Sequence, residues 1–302
     1  MHYNKIKLGL ISSPYAFYPE NTAYKNYLNS SGIFHVTEYD SIEAAGDESD
    51  IIIYHCGFLP FWKKLKCPVI MEYHSLSTTR FPKIKNVLKR IINKKGVGYI
   101  FLNQTVRDGY YFNNLHCDDY IFRGMGFNKK DTKTSNNYDY DIIYMGTTKR
   151  DGVVDSIKKI AILGYSVIIV GCSKEEIVAL DHIDNITAVG RVSNDEAIYY
   201  ASKCQYGLNY TPDTYPLNIQ DSTKVIEYCG LGLKVITNRY EWINEFEQAT
   251  NSKFMSLDKL LDKNCRLEDF DFNSGSYEDY TWQSILKSSN LSEFILRKLQ
   301  KI

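Results

Sequence analysis

No stretch of this chain is long and apolar enough to cross a membrane, a task that needs about 18 or more such residues in a row. The amino terminus, Met1-His-Tyr-Asn-Lys5, runs straight into a short apolar strand without the charged-then-apolar pattern of a secretion signal. Net charge is missing too. The 36 Lys and Arg balance 36 Asp and Glu, so no global field pulls the molecule toward nucleic acid or an anionic membrane, and only local charge can act. The seven cysteines are odd in number, lie far apart and contain no C-x-x-C. That argues against a disulfide framework or a cysteine zinc site and suits a reducing cytosol, the setting expected for the chain. N-x-[ST] triplets such as Asn185-Ile-Thr187 are then chance matches. No G-x-G-x-x-G follows the first strand, and G-x-x-x-x-G-K-[ST] and G-x-S-x-G do not occur. These absences disfavour dinucleotide oxidoreductases, P-loop ATPases and α/β-hydrolases. Asp139-Tyr-Asp141 and Asp269-Phe-Asp271 spell D-x-D. The first precedes a strand and the second sits in a loop-like tail, so no metal site is expected.

What is present is a soluble, globular composition, 44% hydrophobic and 24% charged over 302 residues. That length suits two domains, each able to bury its own core. Short, near-continuous apolar runs predict strands at 6–11, 51–54, 69–73, 99–102 and 120–122. Helical patterns lie between them at 20–29, 82–93 and 104–112. Continuous apolar strands are those of parallel sheets covered on both faces. Residues 128–138 lack apolar anchors and read as a linker or long loop. A second set follows, with strands at 142–145, 167–170, 186–189, 206–209 and 235–237. Its helices fall at 153–163, 175–180, 195–202 and 223–231, and a helical tail covers 277–302. The fold expected is α/β, with two Rossmann-like doubly wound domains facing across a cleft and a C-terminal helix crossing back to the first. The domains expected are 1–130 on the acceptor side, 131–280 on the donor side and a tail at 281–302. In such sheets ligands bind beyond the carboxyl ends of the strands.

The most informative segment is 209–238. A strand ends there, a polar Pro-containing loop follows, and a helix begins at Asp221 or Ser222, both good N-caps. The free N–H groups and partial positive charge of a helix start suit a diphosphate. Lys224 in the first turn opposes the helix dipole, a cost that an anionic ligand would offset. Glu227 lies one turn on, on the same face. It is not a capping-box residue, because three residues after either cap comes Lys224 or Val225. Two readings stand side by side: a helix-surface ion pair, or a lysine on phosphates with a carboxylate on the two hydroxyls of a ribose.

This segment resembles the donor-binding segment of GT-B glycosyltransferases, particularly the group 1 (family 4) set, whose helix reads roughly K-x-x-E-x-x-x-x-G before an apolar strand and Thr/Ser-Asn. Lys224, Glu227, Gly232 and Val235-Ile-Thr-Asn238 match in order. The resemblance implies that Glu227 binds ribose and Lys224 phosphate, with Asn218, Ser222 and Thr223 around them. The second glutamate common in that family, eight residues earlier, is Ile219 here. Val189-Gly-Arg-Val-Ser-Asn-Asp-Glu196 resembles the family's GR-V-S-x-x-E stretch and implies Arg191 near the base; its plain reading is a Ser193-capped helix. Ile143-Tyr-Met-Gly-Thr-Thr-Lys-Arg150 resembles the first strand and loop of the nucleotide domain, with Gly146, Lys149 and Arg150 toward the diphosphate. The competing reading is a solvated turn. Gly171-Cys-Ser173 would line the same pocket.

In the first half, Pro68-Val-Ile-Met-Glu-Tyr-His-Ser75 resembles the family's strand ending in His-Asp, which implies that His74 touches the donor sugar. An ordinary polar strand cap is the alternative. His55 at the end of another strand would serve acceptor binding or structure. Ile121-Phe-Arg-Gly-Met-Gly126 resembles the closing strand of the first domain, and the loop 12–20 lies where relatives admit the acceptor. An inverting reaction would need a carboxylate base, for which Glu72 and Asp108 are candidates.

The expectation is a metal-independent hexosyltransferase that takes a nucleoside-diphosphate sugar, a UDP-sugar first, and needs no cofactor. Its acceptor would be a hydroxyl of a glycan or lipid-linked glycan in bacterial surface polysaccharide synthesis of the O-antigen or capsule kind. Its rivals are a non-catalytic nucleotide-sugar or glycan-binding module and a nucleotide-sugar epimerase of the same shape. Nucleic acid is not expected as a partner. The helix at 82–95 crowds Lys83, Lys85, Lys89, Arg90, Lys94 and Lys95 beside Ile84, Val87, Leu88, Ile91 and Ile92. It reads as an ordinary sheet-covering helix with a solvated face, or as a basic amphipathic helix resting on the inner face of the cell membrane.

Overall fold

The computed structural model describes residues 4–12, 18–55, 57–129, 138–180 and 182–301. It divides into two compact units, Met1–Gly126 with Asp279–Ile302, and Phe127–Glu278. Most of the loop expected at 12–20 and of the linker expected at 128–138 falls on 13–17 and 130–137, outside the described residues.

The first unit runs β1 (Ile6–Ile11), α1 (Pro19–Ser30), β2 (Phe34–Tyr39), α2 (Ile42–Glu48), β3 (Ile51–His55), β4 (Val69–Tyr73), α3 (Pro82–Ile92), β5 (Gly98–Phe101), α4 (Gln104–Gly109) and β6 (Tyr120–Phe122). Its six strands are parallel, in the order β2-β1-β3-β4-β5-β6. Every residue of β4 and β5 is buried, which is why these strands read as unbroken apolar runs. The sequence pattern did not foresee β2. As the edge strand it alternates buried Phe34 and Val36 with exposed His35, so no continuous run exists. Helix α4 stops short of the expected 112 because Tyr111 takes a left-handed φ of 61°.

The second unit runs β7 (Tyr140–Met145), α5 (Val153–Ile162), β8 (Val167–Val170), α6 (Lys174–Leu180), β9 (Ile186–Val189), α7 (Asn194–Ser202), β10 (Cys204–Asn209), α8 (Thr223–Gly230), β11 (Lys234–Thr237), α9 (Glu241–Thr250), β12 (Met255–Ser256) and α10 (Leu257–Leu261). Ser193 caps α7 in a complete capping box with Glu196. The sheet is again parallel, ordered β12-β11-β10-β7-β8-β9. That order runs outward in both directions from the β7–β10 pair, as in the dinucleotide-binding fold. Its topological switch point, where such sheets open a crevice, lies beyond the ends of β7 and β10.

The tail forms α11 (Trp282–Ser288) and α12 (Leu291–Gln300). Both return to the first unit, where Trp282, Leu286, Phe294 and Ile295 share a core with Leu8, Leu10 and Ile53. Gly126 leaves room for this, since a Cβ there would sit 2.9 Å from the Trp282 ring.

Candidate functional site

The switch point of the second unit is held by a polar lattice. Asn209, the buried last residue of β10, donates from Nδ2 to Thr237 Oγ1 (2.9 Å) and to the Tyr240 hydroxyl (3.1 Å). Its Oδ1 accepts from Ser222 Oγ at 3.1 Å. Ser222 is the N-cap of α8. Asn238 grips Thr211 from both sides, accepting from its N–H (2.9 Å) and donating to its carbonyl (2.6 Å). The loop after β10 and the start of α8 are thereby fixed to the end of β11. The free N–H groups of the first turn, at Ser222 and Thr223, face a defined direction.

Lys224 and Glu227 lie on α8, half-buried. Of the two readings, the ion pair is not made: among the described residues, no ion pair or side-chain hydrogen bond joins either to another side chain. Lys224 Nζ instead sits 5.4 Å above the Tyr144 ring. Beside it stands Gly146 at the end of β7, with φ of +123°; a Cβ there would lie 2.9 Å from Lys224 Cε. Gly171 at the end of β8, with φ of +112°, packs against the Gly146 carbonyl, which a Cβ would approach to 3.2 Å. Two strand ends thus bare their backbone side by side, the nearer one against Lys224, and both positions need glycine. Burial, then the Arg150 charge, lowers the Lys224 pKa to about 8 against the opposing pull of Glu227. Burial raises Glu227 to about 7, with Lys224 opposing. Holding two such groups half-buried and unpaired costs stability. A ligand bearing phosphates and a diol would recover that cost: the lysine, the helix start and the bare glycines suit the anion, and the carboxylate suits the hydroxyls.

The other expected donor contacts are more scattered. Lys149 and Arg150 are exposed in the turn after β7, and Arg191 is exposed after β9. Of these, Arg150 acts electrostatically on Lys224. Neighbouring Thr148 is buried and donates to Glu176, whose other oxygen accepts from Ser173 N–H at 2.6 Å. This bond ties the turn after β7 to the loop after β8. Asn218 lies in a helical turn at Leu217–Ile219, and its buried Oδ1 has no hydrogen-bond partner.

In the first unit the ends of β3 and β4 meet a buried charged cluster. Glu72 has no exposed surface. Its Oε1 accepts from Arg123 Nε (3.0 Å) and Nη2, from the Tyr24 hydroxyl (2.7 Å), and lies 2.8 Å from His74 Nε2. His74 Nδ1 is 3.0 Å from Glu20 Oε1. His55 pairs with Asn21 through Nε2 and stands 3.1 Å from Glu72 Oε2 through Nδ1, without hydrogen-bond alignment. Burial alone would raise the Glu72 pKa, but the Arg123, His74 and His55 charges hold it well below the usual carboxylate range. Burial alone would lower His74; Glu72 and Glu20 reverse this and raise it to about 9. Glu72 is therefore an ionised, enclosed counter-ion, which corrects its expected role as a base: a proton acceptor must be reachable by the hydroxyl it serves. His74 is a half-buried imidazolium. Asp108 is bound 2.8 Å from Arg107 and keeps part of its surface open.

Sequence reasoning missed Glu20, Asn21, Tyr24 and Arg123 as members of this cluster. The available signal was an arginine closing an apolar strand and a glutamate opening a helix beside another strand end. The ligand atoms of Glu20, His55 and His74 lie within 4.8 Å of one another, yet both His74 nitrogens are already engaged by carboxylates and Arg123 stands beside them. In each D-x-D motif one aspartate has a partner. Asp141 caps Ser166 through its N–H (2.7 Å) and Oγ (2.8 Å), and Asp271 pairs with Lys253 at 3.3 Å.

No protein-family profile matches the chain, and no curated protein sequence does. Solved structures do. A glycosyltransferase involved in avilamycin A biosynthesis superposes with a TM-score of 0.59 at 10% identity, over 98% of this chain and 97% of that one. A lipopolysaccharide outer core galactosyltransferase gives 0.58 at 12%, over 97% and 100%. The UDP-GlcNAc 2-epimerase from Neisseria meningitidis, bound to UDP-GlcNAc, gives 0.53 at 10%, over 97% and 100%. The chain has the GT-B fold, the fold of glycosyltransferases and of nucleotide-sugar epimerases alike.

Proposed function

We propose that this chain is a glycosyltransferase that moves a hexose from a nucleoside-diphosphate sugar, a UDP-sugar first, to a hydroxyl of a glycan or lipid-linked glycan. The proposed setting is cytoplasmic synthesis of a bacterial surface polysaccharide of the O-antigen or capsule kind. One observation carries the reading. Lys224 is half-buried with no ion-pair or hydrogen-bond partner among the described residues, at the amino end of α8 and at the β7–β10 switch point, against the bare backbone of Gly146. Lys224 and the first-turn N–H groups stabilise the departing diphosphate, the charge that a metal supplies in other transferases. Glu227 receives the ribose hydroxyls. His74, a cation held by Glu20 and Glu72, is the candidate for contact with the donor sugar. Asp108 remains the candidate for a base in an inverting reaction.

The second reading, a nucleotide-sugar epimerase, is favoured by the fold shared with the UDP-GlcNAc 2-epimerase. A panel of UDP-, GDP- and dTDP-sugars with glycan acceptors separates the alternatives. Transfer or donor hydrolysis supports the transferase. A changed sugar in the nucleotide product supports the epimerase. Binding without turnover reduces the chain to a recognition module, and no binding to any nucleotide refutes the site.

A further inference from the structure

Helix α3 is built inside out. Ile84, Val87, Leu88 and Ile91 recur at the i, i+3, i+4, i+7 spacing of one helix face. On a sheet-covering helix that face would be buried. Here Ile84 is 59%, Leu88 48% and Ile91 67% exposed, and the helix's one buried residue is the polar Asn86. Asn86 anchors the helix by accepting from Ser77 N–H at 3.0 Å. The sheet-covering alternative of the sequence reading is therefore corrected. The apolar stripe points to solvent, and Lys83, Lys85 and Arg90 border it.

The loop after β3 extends the same surface. Phe58, Phe61 and Trp62 are all more than half exposed, with the Trp62 ring edge-on to Phe61 at 4.9 Å. Phe61 N–H donates to the Ile92 carbonyl (2.8 Å), Lys94 N–H to the Leu59 carbonyl (2.7 Å) and Lys94 Nζ to the Lys63 carbonyl (2.9 Å). These bonds fix the aromatic loop to the C-terminal end of α3. Next to that end, a cavity of about 290 Å³ is lined by Arg90, Lys94, Lys95 and Asn114 together with Tyr99 and Phe112. It joins three cations to an apolar floor.

We propose that this face docks on the surface of an anionic phospholipid bilayer. Trp62, Leu88 and Ile91 enter the boundary between headgroups and acyl chains, and the bordering lysines and Arg90 meet lipid phosphates. An amphipathic helix of this kind lies in the interface with its apolar side sunk roughly 5–10 Å. The charge argues for lipid over a second copy of the chain, because a two-fold contact through this face would set one ring of lysines against another. The whole chain is neutral, so the attraction is confined to this face. Docking would bring the enzyme to acceptors carried on lipid. That last step rests on the proposed transfer reaction, whereas the docking does not.

The test is flotation of the full chain with vesicles of phosphatidylcholine alone or mixed with phosphatidylglycerol. Wild type is expected to float with the mixed vesicles at least ~10-fold more than with the neutral ones. That binding should weaken as salt rises from about 0.1 to about 1 M and the screening length falls from about 10 to about 3 Å. The pair L88E/I91E, and separately K83E/K85E, should each reduce flotation at least ~10-fold. These positions are largely exposed, so circular dichroism and the ligand-free melting temperature should stay at wild-type values, which keeps loss of binding distinct from loss of fold. No flotation by wild type, equal flotation with neutral vesicles, or full flotation by both variants overturns the proposal. So does a dimer in sedimentation equilibrium that L88E/I91E abolishes, since the face would then be covered by a second copy. Nucleoside-diphosphate binding is scored in a separate assay, so failure of the donor site would leave the docking result readable.

Discussion

Replacing Lys224 by methionine keeps the length and apolar body of the side chain and removes the charge above Tyr144. If Lys224 grips a diphosphate, the variant loses a hydrogen bond to a charged group, about 1.5–3 kcal/mol. That corresponds to roughly 10- to 100-fold in Kd. With UDP at about 1,000 times the wild-type Kd, binding stabilises the native state by about 4.1 kcal/mol. A loss of about 2 kcal/mol halves that figure. At roughly 2–4 °C per kcal/mol for a unit of this size, the UDP-induced rise in melting temperature shrinks by about 4–8 °C. The ligand-free variant should melt no lower than wild type. The folded pKa of Lys224, about 8, lies below its unfolded value of 10.5. Its charge therefore opposes folding at every pH below about 8, and methionine removes that opposition. The same values set the pH dependence of binding. Affinity falls as pH rises through about 8 and Lys224 loses its proton, and it falls below about 7 as Glu227 gains one. UDP should thus bind most tightly between pH 7 and 8. Differential scanning fluorimetry with UDP across pH 5–10 measures all of this, and a full UDP shift in K224M refutes the site.

Glu72→Gln leaves Arg123 buried without its counter-charge, and urea denaturation should show a loss of about 3–5 kcal/mol. His74, raised from 6.5 to about 9 by its carboxylates, adds stability that is complete below pH 6.5 and fades as pH climbs to 9. In His74→Gln that decline between pH 6.5 and 9 should flatten, and an unchanged slope in melting temperature against pH would refute the ion-paired imidazolium. Gly146→Ala forces a side chain into φ of +123° against Lys224; it should destabilise by about 1–3 kcal/mol and weaken UDP binding in calorimetry. Trp282→Ala empties a buried site in the core shared by β1, β3 and α11; a loss of about 3–5 kcal/mol in chemical unfolding is expected.

The sequence by itself determined which segments become buried strands and where one helix starts. A strand covered on both faces leaves a solid apolar run, so β4, β5 and β8 could be read directly, and a capping serine followed by a lysine in the wrong electrostatic position marked α8. The edge strand β2 and the helix α2 left no such run, because one side of an edge strand is solvated. Only the tertiary structure decided that Lys224 stays unpaired beside Gly146, since that follows from the ends of β7 and β8 arriving at one switch point. It also decided the fate of Glu72, whose partner Arg123 lies 51 residues away; the register of a sheet, and not any local pattern, chooses that pairing. The periodicity of α3 could be counted in the sequence, but whether its apolar stripe faces a core or the solvent depends on which side the sheet occupies. The sequence records what each residue prefers, and the long-range topology decides which preferences are met inside the molecule and which are left outside for a ligand or a membrane.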